Sequence, residues 1–591
     1  MGRSTPNMKR CPQCNRVEPD DTLAFCRADG AALVSDSGAV SADSGTVKFG
    51  SAPVVNEIET SILPHRTDAG MNRPTASTTV LPAQSTPGTT GELNRPKRVW
   101  SVAVVVGAVF LIAVLAGSAY LYLSRTKTRA IESIAVMPFV NESGNADVEY
   151  LSDGMTETLT SSLYQLPNLS VKGRSSVFRY KGKAPDAKAV GKDLGVQAVL
   201  YGRVVQRGDQ LTVSLELLDA LTENVIWSDK YDRKQADLVA LQSEIARDVS
   251  NKLKTKLSGT DEAKVTKNYT ANAEAYQLYL KGRFYWNKRT GESLKQAVEF
   301  YNQAIEKDPN YALAYSGLAE TYVLFPVYSV ALPQDCMPKA KAAAVRALEI
   351  DDSLAEAHTA LAIYLSNFSW NQPAAEREFR RAIELNPNYP NAHHQFGTEC
   401  LAPVGRFAEA IAEGKRAEEL DPLSPIIGAD VATLLYRARR FDEAIAQLKR
   451  TLTLDPNFSY THAQLGMVYD SNGQYAEAVA AYRKALALND DPWTKARFAR
   501  SLARSGQRDE AVKLLGELQS ESARRYVSSA SLALVYGALG DKDRAFAWLE
   551  KEVAERTQRS TLFSVNPLWD DLRDDPRFAD LVRRVALAKM D

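Results

Sequence analysis

Small residues recur at a nearly constant spacing through the C-terminal part of this chain. They occupy positions 282, 319, 362, 397, 432, 466, 499 and 533, so that successive positions differ by 33 to 43 residues. Several intervals contain Asp-Pro or Asn-Pro, as at Asp308-Pro309 and Asp421-Pro422. Small side chains let two helices pack closely and proline ends a helix, so this spacing predicts a series of stacked helix pairs.

A period of about 34 residues with small residues at the helix contacts resembles the tetratricopeptide repeat. In the clearest copy, Gly466 is followed by Tyr469, Ala478 and Tyr482. The resemblance implies about eight repeats over residues 272–556, which would form an all-α solenoid. Stacked pairs of this kind make a superhelix whose concave face binds an extended peptide or a partner domain.

Two stretches of the repeat region depart from the period. The longest interval, 43 residues, predicts an additional loop around residues 325–337, which would contain Cys336. Beyond residue 556 the spacing ends, so residues 557–591 are predicted to form a C-terminal capping segment. Cys400 falls at a core-like helix position, and no disulfide partner is predicted for either cysteine.

Residues 130–258 carry a mixed pattern that predicts a small α/β domain. Residues 134–139 indicate a short buried strand, and 211–217 alternate between apolar and polar side chains as a half-buried strand does. Gly208-Asp209 suits a hairpin turn, because glycine adopts positive φ without strain. One predicted helix face consists of apolar residues four positions apart: Leu151, Met155, Leu159 and Leu163.

Residues 99–123 contain no charged side chain and predict a single transmembrane helix. At 1.5 Å per residue this helix measures about 37 Å, enough to cross a hydrocarbon core of about 30 Å. A buried core helix would be shorter, and a signal peptide would not follow 98 other residues. Three basic residues flank the segment on each side, so the positive-inside rule leaves its orientation undecided.

Residues 35–98 are predicted to be a disordered linker. Ser, Thr, Gly, Pro and Ala dominate this stretch, and it shows neither a helical nor a strand period. Such a composition buries too little apolar surface to offset the entropy lost on ordering.

Four residues near the N-terminus have the spacing of a zinc ribbon over residues 1–34. Cys11 and Cys14 form one pair, and Cys26 and Asp29 form a second. Cysteine thiolates and a carboxylate can complete a tetrahedral site, and a segment this short has almost no core, so a structural Zn²⁺ would supply its folding energy. The alternative is a ribbon that no longer binds metal. Reduced thiols favour a cytosolic position.

The sequence gives no basis for a catalytic centre or a nucleic-acid partner. The whole chain has 72 Lys+Arg against 72 Asp+Glu, and residues 9–29 carry four basic and four acidic side chains, so no basic footprint is present. No phosphate-binding loop, Ser-His-Asp set or HExxH motif occurs. The polar loops of residues 141–154 are the one basis for an enzyme, and loop and capping chemistry accounts for them. We predict no catalytic and no cofactor-binding residues.

The stretch from residue 130 onward resembles the TolB-like amino-terminal domain of bacterial membrane-anchored proteins, usually followed by tetratricopeptide repeats. The resemblance rests on segments 133–139, 141–144, 150–154, 174–177, 180–182 and 202–204. It implies a protein of the bacterial inner membrane with a cytoplasmic N-terminus and periplasmic C-terminal domains. Relatives often carry a kinase or a winged-helix domain before the membrane helix, and the cysteine-bearing segment stands there in this chain.

Together these features predict a multidomain α+β chain: a zinc ribbon, one transmembrane helix, an α/β TolB-like domain and a tetratricopeptide solenoid. Its expected role is a non-enzymatic, membrane-tethered scaffold that binds protein partners on the concave face of the solenoid. The alternative is a one-component transmembrane regulator whose cytosolic ribbon contacts a signalling or transcription component. Small-molecule ligands are left open.

Overall fold

The computed structural model describes residues 9–10, 17–18, 34–35, 107, 131–166, 168–183, 185–253 and 259–587. The chain divides into two compact units, Met1–Val104 and Val105–Asp591. The predicted linker over 35–98 and the predicted transmembrane helix over 99–123 lie outside the described residues, apart from Ser35 and Gly107. No helix within the described ranges is both long and apolar enough to cross a membrane.

Three short strands of the first unit form an antiparallel sheet. β1 (Lys9–Arg10) lies in the centre and pairs with β2 (Val17–Glu18) and β3 (Val34–Ser35). The candidate zinc ligands fall between these strands in the sequence and lie outside the described residues: Cys11, Cys14, Cys26 and Asp29.

A mixed six-stranded sheet opens the second unit, with the order β6-β4-β7-β8-β9 and with β5 paired to β7. Its strands are β4 (Ser133–Val136), β5 (Val140–Asn141), β6 (Ser170–Val171), β7 (Ala198–Arg207), β8 (Gln210–Asp219) and β9 (Val225–Lys234). β4 runs parallel to β6 and β7, whereas β7, β8 and β9 form two antiparallel hairpins. Gly208 has a φ of +60° in the first hairpin turn, which confirms that prediction.

Helices cover both faces of this sheet. α1 (Glu149–Tyr164) packs on one face, α2 (Arg174–Phe178) and α3 (Ala187–Leu194) pack on the other, and α4 (Leu238–Lys252) packs beside α1. The predicted apolar face of α1 and the inward residues of β8 are all at most 2% exposed: Leu151, Met155, Leu159, Leu163, Leu211, Val213, Leu215 and Leu217. Apolar periodicity therefore located the core of this part correctly.

Helix α5 (Gly259–Val265) leads into helix pairs that follow one another up to residue 554, eight of them within the described residues. The first helices of the pairs are α6 (Ala273–Asn287), α8 (Ala312–Leu324), α10 (Ala355–Asn367), α12 (Pro390–Gln395), α14 (Pro425–Arg437), α16 (Ser459–Ser471), α18 (Pro492–Arg504) and α20 (Ser529–Ala538). The second helices are α7 (Gly291–Lys307), α9 (Pro333–Ile350), α11 (Gln372–Leu385), α13 (Phe407–Leu420), α15 (Phe441–Leu454), α17 (Tyr475–Leu488), α19 (Arg508–Ser522) and α21 (Lys542–Ala554). The prediction of a mixed α+β chain with a helical, repeat-rich C-terminal region is confirmed.

The recurring small residues lie where two helices touch. A Cβ atom added to Gly282 or to Gly317 would come within 2.5 Å of the ring of Tyr301, which is fully buried between them. Gly466 meets the ring of Tyr482 in the same way. A larger residue at these positions would force the helices apart, because protein cores are close-packed.

The long loop predicted for the second repeat is shorter than expected. Helix α8 ends at Leu324 and α9 already begins at Pro333, so the connection spans residues 325–332. Cys336 lies on α9 and is 1% exposed, so its predicted place in the loop is wrong. Pro333 occupies the first turn of the helix, where a missing N–H costs nothing, and the helix continues past Pro338. Cys336 and Cys400 are both buried and free.

The end of the chain folds back on earlier pairs. Two 3₁₀ helices, Gln558–Leu562 and Pro567–Leu572, precede α22 (Pro576–Leu587). The side chain of Gln334 donates to the carbonyl oxygen of Ala554 at 3.0 Å, and Arg556 donates to that of Phe368 at 3.2 Å. The last helix pair therefore contacts the second and third pairs directly.

Candidate functional site

A cavity of about 1130 Å³ lies within the second unit, and it is called the inner cavity below. Its wall contains residues of α1 and α2, of the first helix region of seven successive pairs, and of the 3₁₀ helix Gln558–Leu562. On α8 the lining positions lie three or four residues apart, as in Ser316, Glu320 and Val323, and such a spacing marks one face of a helix.

Asn388 joins the C-terminal end of α1 to the repeats by hydrogen bonds. Its side-chain nitrogen donates to the carbonyl oxygens of Tyr164, Leu166 and Leu169, at 3.4, 3.1 and 3.1 Å. These carbonyl groups lie at and beyond the C-terminal end of α1, where the intrahelical partners run out. Asn388 is 4% exposed, so this interaction is shielded from water.

Asp421, at the end of α13, binds the N-terminal end of α2 to the repeats. Its carboxylate accepts from the backbone N–H groups of Ser175 and Ser176, at 3.2 and 2.7 Å, and from the Ser176 hydroxyl. Burial raises the pKa of the Asp421 carboxyl, and these hydrogen bonds only partly oppose that shift. A Cβ atom added to Gly173 would lie 2.3 Å from the Asp421 side chain, so glycine is needed for the approach.

The aspartates that end successive helix pairs, some of which precede a proline, thus have a second role that the sequence did not reveal. Asp308 accepts from Thr270, and Asp351 accepts from Lys267 at 2.7 Å. In each case the partner lies before the first helix pair. The turns at the ends of successive helix pairs therefore bind the part of the chain that precedes the repeats.

A buried ion cluster crosses the boundary between α1 and the first two helix pairs. Arg283 donates to Glu157 of α1 and, at 2.8 Å, to Glu320 of α8. Asn287 also donates to Glu157, and Tyr389 donates to Glu320. Burial disfavours the charged form of Glu157, but the Arg283 and Arg174 guanidinium groups outweigh it and lower its pKa. Burial prevails at Glu320, whose pKa is raised.

Glu356 is one of the carboxylates in the wall of the inner cavity. It lies on α10, and among the described residues it has no ion pair and no hydrogen bond to another side chain. Burial raises its pKa to about 7, and repulsion from Glu320 adds to the shift, while Arg283 opposes it and Asp351 reinforces it weakly. The carboxyl therefore changes charge near neutral pH.

Replacing Glu356→Gln is expected to change how stability depends on pH. The folded pKa of about 7 lies above the ordinary value of 4.5, so the stability that protonation of Glu356 contributes is fully present below pH 4.5 and is lost as the pH rises through 7. The variant should match the wild type near pH 4.5 and exceed its free energy of unfolding by about 1–3 kcal/mol at pH 8. Thermal unfolding followed by circular dichroism from pH 4.5 to 8 measures this. Parallel curves for the two proteins would contradict it.

The polar loops of residues 141–154 use their side chains locally. Asn141 accepts from the N–H of Ser143, and Asn145 accepts from the N–H of Asp147. Ser143 accepts from the N–H of Gln206 in the neighbouring strand. These are the loop and capping contacts that the sequence suggested. No group of His, Cys, Asp or Glu side chains suited to a metal ion occurs in the ranges that the structure describes.

The adjacent histidines His393 and His394 serve different partners. His393 lies between Glu413, at 2.6 Å, and the carbonyl oxygen of Pro387. His394 lines the inner cavity and contacts Asp430 at 2.8 Å. Both rings are buried, so they act as packed and hydrogen-bonded side chains.

Two family models match parts of the chain. Residues 130–249 match the second domain of HilA/YgeH-like transcriptional regulators, and residues 459–492 match the tetratricopeptide repeat. The resemblance of residues from 130 onward to the TolB-like domain stays a prediction.

Among curated proteins, the chain is 33% identical over 236 residues to "Putative adenylate cyclase 3" of Rhizobium meliloti, which is 40% of each chain. It is 26% identical over 163 residues to "Transcriptional regulator HilA" of Salmonella typhimurium, which is 28% of this chain and 29% of that protein. The chain therefore spans less than half the length of these relatives.

A solved structure of Pseudomonas aeruginosa pilF aligns with a TM-score of 0.28 and 19% identity, over 36% of this chain and 94% of that one. A likeness of that size carries no argument about function. The two family-model matches show that a HilA-like second domain and a tetratricopeptide repeat are present in this chain.

Proposed function

We propose that this chain is a non-enzymatic, membrane-tethered scaffold that holds an extended segment of a partner protein in the inner cavity. The observation that carries the proposal is the wall of the cavity, which draws on seven successive helix pairs. Tetratricopeptide repeats generally serve protein–protein interaction, and stacked pairs present an elongated binding surface. The α/β region and the repeats would bind the partner together, because both contribute to the wall.

The polar character of the wall supports an extended peptide as the occupant. Several buried polar atoms in it have no hydrogen-bond partner among the described residues, including the Ser316 and Ser424 hydroxyl oxygens, the Asn367 carbonyl oxygen and the Trp286 ring N–H. Buried polar atoms left unpaired cost about 1–3 kcal/mol each. A peptide backbone carries donors and acceptors along its whole length and could pair with such groups after small adjustments.

A photocrosslinking experiment tests this use of the cavity. Ile426 lines the cavity and is 38% exposed, whereas Leu488 is 37% exposed and lies outside the lining. A photoreactive phenylalanine analogue at each position of the full chain, illuminated in the host cell, should give a discrete protein crosslink from position 426 and little from position 488. Equal yields from the two positions would contradict the proposal.

The membrane tether rests on residues 99–123, whose uncharged run motivates the proposal. We place the N-terminus in the cytoplasm and the C-terminal domains outside it, following the TolB-like resemblance. Two reporters fused after Asp591 test this orientation. An enzyme that is active only outside the cytoplasm should work there, and a protein that fluoresces only inside should stay dark; the reverse result overturns the orientation.

The zinc ribbon is a separate part of the proposal. The antiparallel order of β1, β2 and β3 supports it, since two connections between short strands suit two ligand pairs. The full chain should contain about one zinc per molecule by elemental analysis. The Cys14→Ser variant should contain almost none, while the Cys336→Ala variant should keep it, because Cys336 is buried in the repeats. Equal zinc in all three proteins would contradict the site.

A transmembrane regulator is the second candidate, and the HilA-like match over residues 130–249 favours it. In that case the ribbon would pass a signal to a transcription or signalling component. Replacing both Cys11 and Cys14 with Ser distinguishes the two functions. A regulator should lose its effect on gene expression, whereas a scaffold should keep its crosslink at position 426.

A further inference from the structure

Three arginines meet in the part of the inner cavity formed by the later helix pairs and the C-terminal segment. Arg437 of α14, Arg497 of α18 and Arg559 all line it, and they are called the arginine cluster here. Trp493 connects two of them: its ring centre lies 4.5 Å from the guanidinium carbon of Arg559 and 5.7 Å from that of Arg497. Arg437 and Arg497 both act on Tyr460, whose pKa they lower against the stronger effect of burial.

None of these guanidinium groups has a carboxylate oxygen within 4 Å among the described residues. Arg497 is 2% exposed, and it donates to the neutral side chains of Gln464 and Thr494. Arg437 donates to the carbonyl oxygen of Thr398 at 3.3 Å. The Nε atoms of Arg437 and Arg497 are buried and have no acceptor. An unpaired charge removed from water is costly, so buried cations are normally paired.

Two carboxylates in the same wall of the cavity, Glu399 and Asp430, already have other partners. Glu399 accepts from Asn367 and Gln558, and burial raises its pKa although Arg437 opposes this. Asp430 contacts His394 and accepts from Tyr460. These two carboxylates are engaged with other side chains, so the three guanidinium groups of the cluster stay without an ion pair among the described residues.

We propose that the arginine cluster binds carboxylate side chains of an acidic segment in the partner protein. The proposal rests on the proposed function, since the segment is the one held in the inner cavity. Guanidinium groups present paired N–H donors that match carboxylate oxygens. The cavity extends past seven helix pairs, which favours an anion carried on a chain over a free one. Acidic side chains are the anions that an unmodified polypeptide supplies.

Fluorescence anisotropy with two labelled ten-residue peptides tests the proposal on the full chain in detergent. One peptide alternates Glu and Ala, and the other alternates Gln and Ala. We expect the Glu peptide to bind at least tenfold more tightly. Arg437→Gln and Arg559→Gln should each weaken its binding about tenfold, because both residues line the cavity and neither is fully buried. Arg450→Gln is the matched control, since this side chain is 65% exposed and lies outside the lining.

Each remaining outcome overturns the proposal. Equal binding of the two peptides, or equal loss in all three variants, would show that the cluster does not select carboxylates. Inorganic phosphate that binds where the Glu peptide does not would assign the cluster to a free anion. The crosslink at position 426 distinguishes failure of the scaffold function from failure of the acidic-segment proposal. If the crosslink persists without binding of the acidic peptide, the scaffold function stands and only the acidic partner is wrong. Circular dichroism melting curves check that each variant is folded.

Discussion

Replacing Arg283→Ala is expected to lower the free energy of unfolding of the second unit by about 3–5 kcal/mol, as breaking a buried ion pair from one side does. Arg283 pairs with Glu157 of α1 and Glu320 of α8, whose side chains are only 12% and 7% exposed and would lose this partner. Because Glu157 belongs to the α/β region, the loss should also loosen that region from the repeats. Urea unfolding followed by tryptophan fluorescence measures the change.

Arg289→Ala is the matched control for this prediction. Both guanidinium groups stack on Trp286, at 4.3 Å for Arg283 and 3.6 Å for Arg289, but Arg289 has no ion pair within the described residues. Its loss removes only the contact with the ring and should cost about 0.5–1 kcal/mol. If the two variants were equally stable, the ion cluster would contribute nothing beyond ring stacking.

Replacing Asp421→Ala is expected to cost about 2–4 kcal/mol, because two buried N–H groups and a hydroxyl would lose their acceptor. Those groups belong to Ser175 and Ser176, and Asp421 itself is 5% exposed. Hydrogen exchange of the amides of residues 173–178 should accelerate together with the loss of stability. Asp421→Asn should cost less than the alanine variant, since it keeps one acceptor oxygen and burial already raises the pKa of the carboxyl.

The next repeat supplies a control at the equivalent position. Asp455 is also followed by proline, but among the residues that the structure describes its carboxylate accepts only from the backbone N–H of Asn457, within its own turn. Asp455→Ala should therefore cost no more than about 1 kcal/mol and should leave exchange at residues 173–178 unchanged. An equal cost for both aspartates would mean that Asp421 acts only within its own turn.

The spacing of apolar and small residues was enough to predict those helices and strands whose pattern lies within the element itself. The four-residue spacing of apolar residues from Leu151 to Leu163 predicted α1, and the alternation from Leu211 to Leu217 predicted β8. The small residues gave the repeats because Gly282 and Gly466 must each accept a tyrosine ring. Such positions obey packing rules that act over a few residues or over one repeat.

The inner cavity was beyond prediction because it depends on pairs far apart in the sequence. Asp421 and Asp455 carry the same Asp-Pro signal, yet only Asp421 meets the backbone of α2, and nothing local distinguishes them. Glu157 and Arg283 are 126 residues apart, and their pairing depends on how α1 packs against α6. The prediction of a loop around Cys336 was wrong for a different reason, because proline can begin a helix as well as interrupt one, and Pro333 begins α9.

The contacts of Gln334 with Ala554 and of Arg556 with Phe368 join residues that are 220 and 188 positions apart. In an open array of repeats, each unit touches only its neighbours, so a lineage can gain or lose a unit with little penalty. Here an inserted or deleted helix pair would separate both contacts and displace the segment that carries Arg559. The contacts between the last helix pair and the second and third pairs therefore constrain the number of repeats in this chain. Its homologues should differ by substitutions within the repeats rather than by the number of repeats.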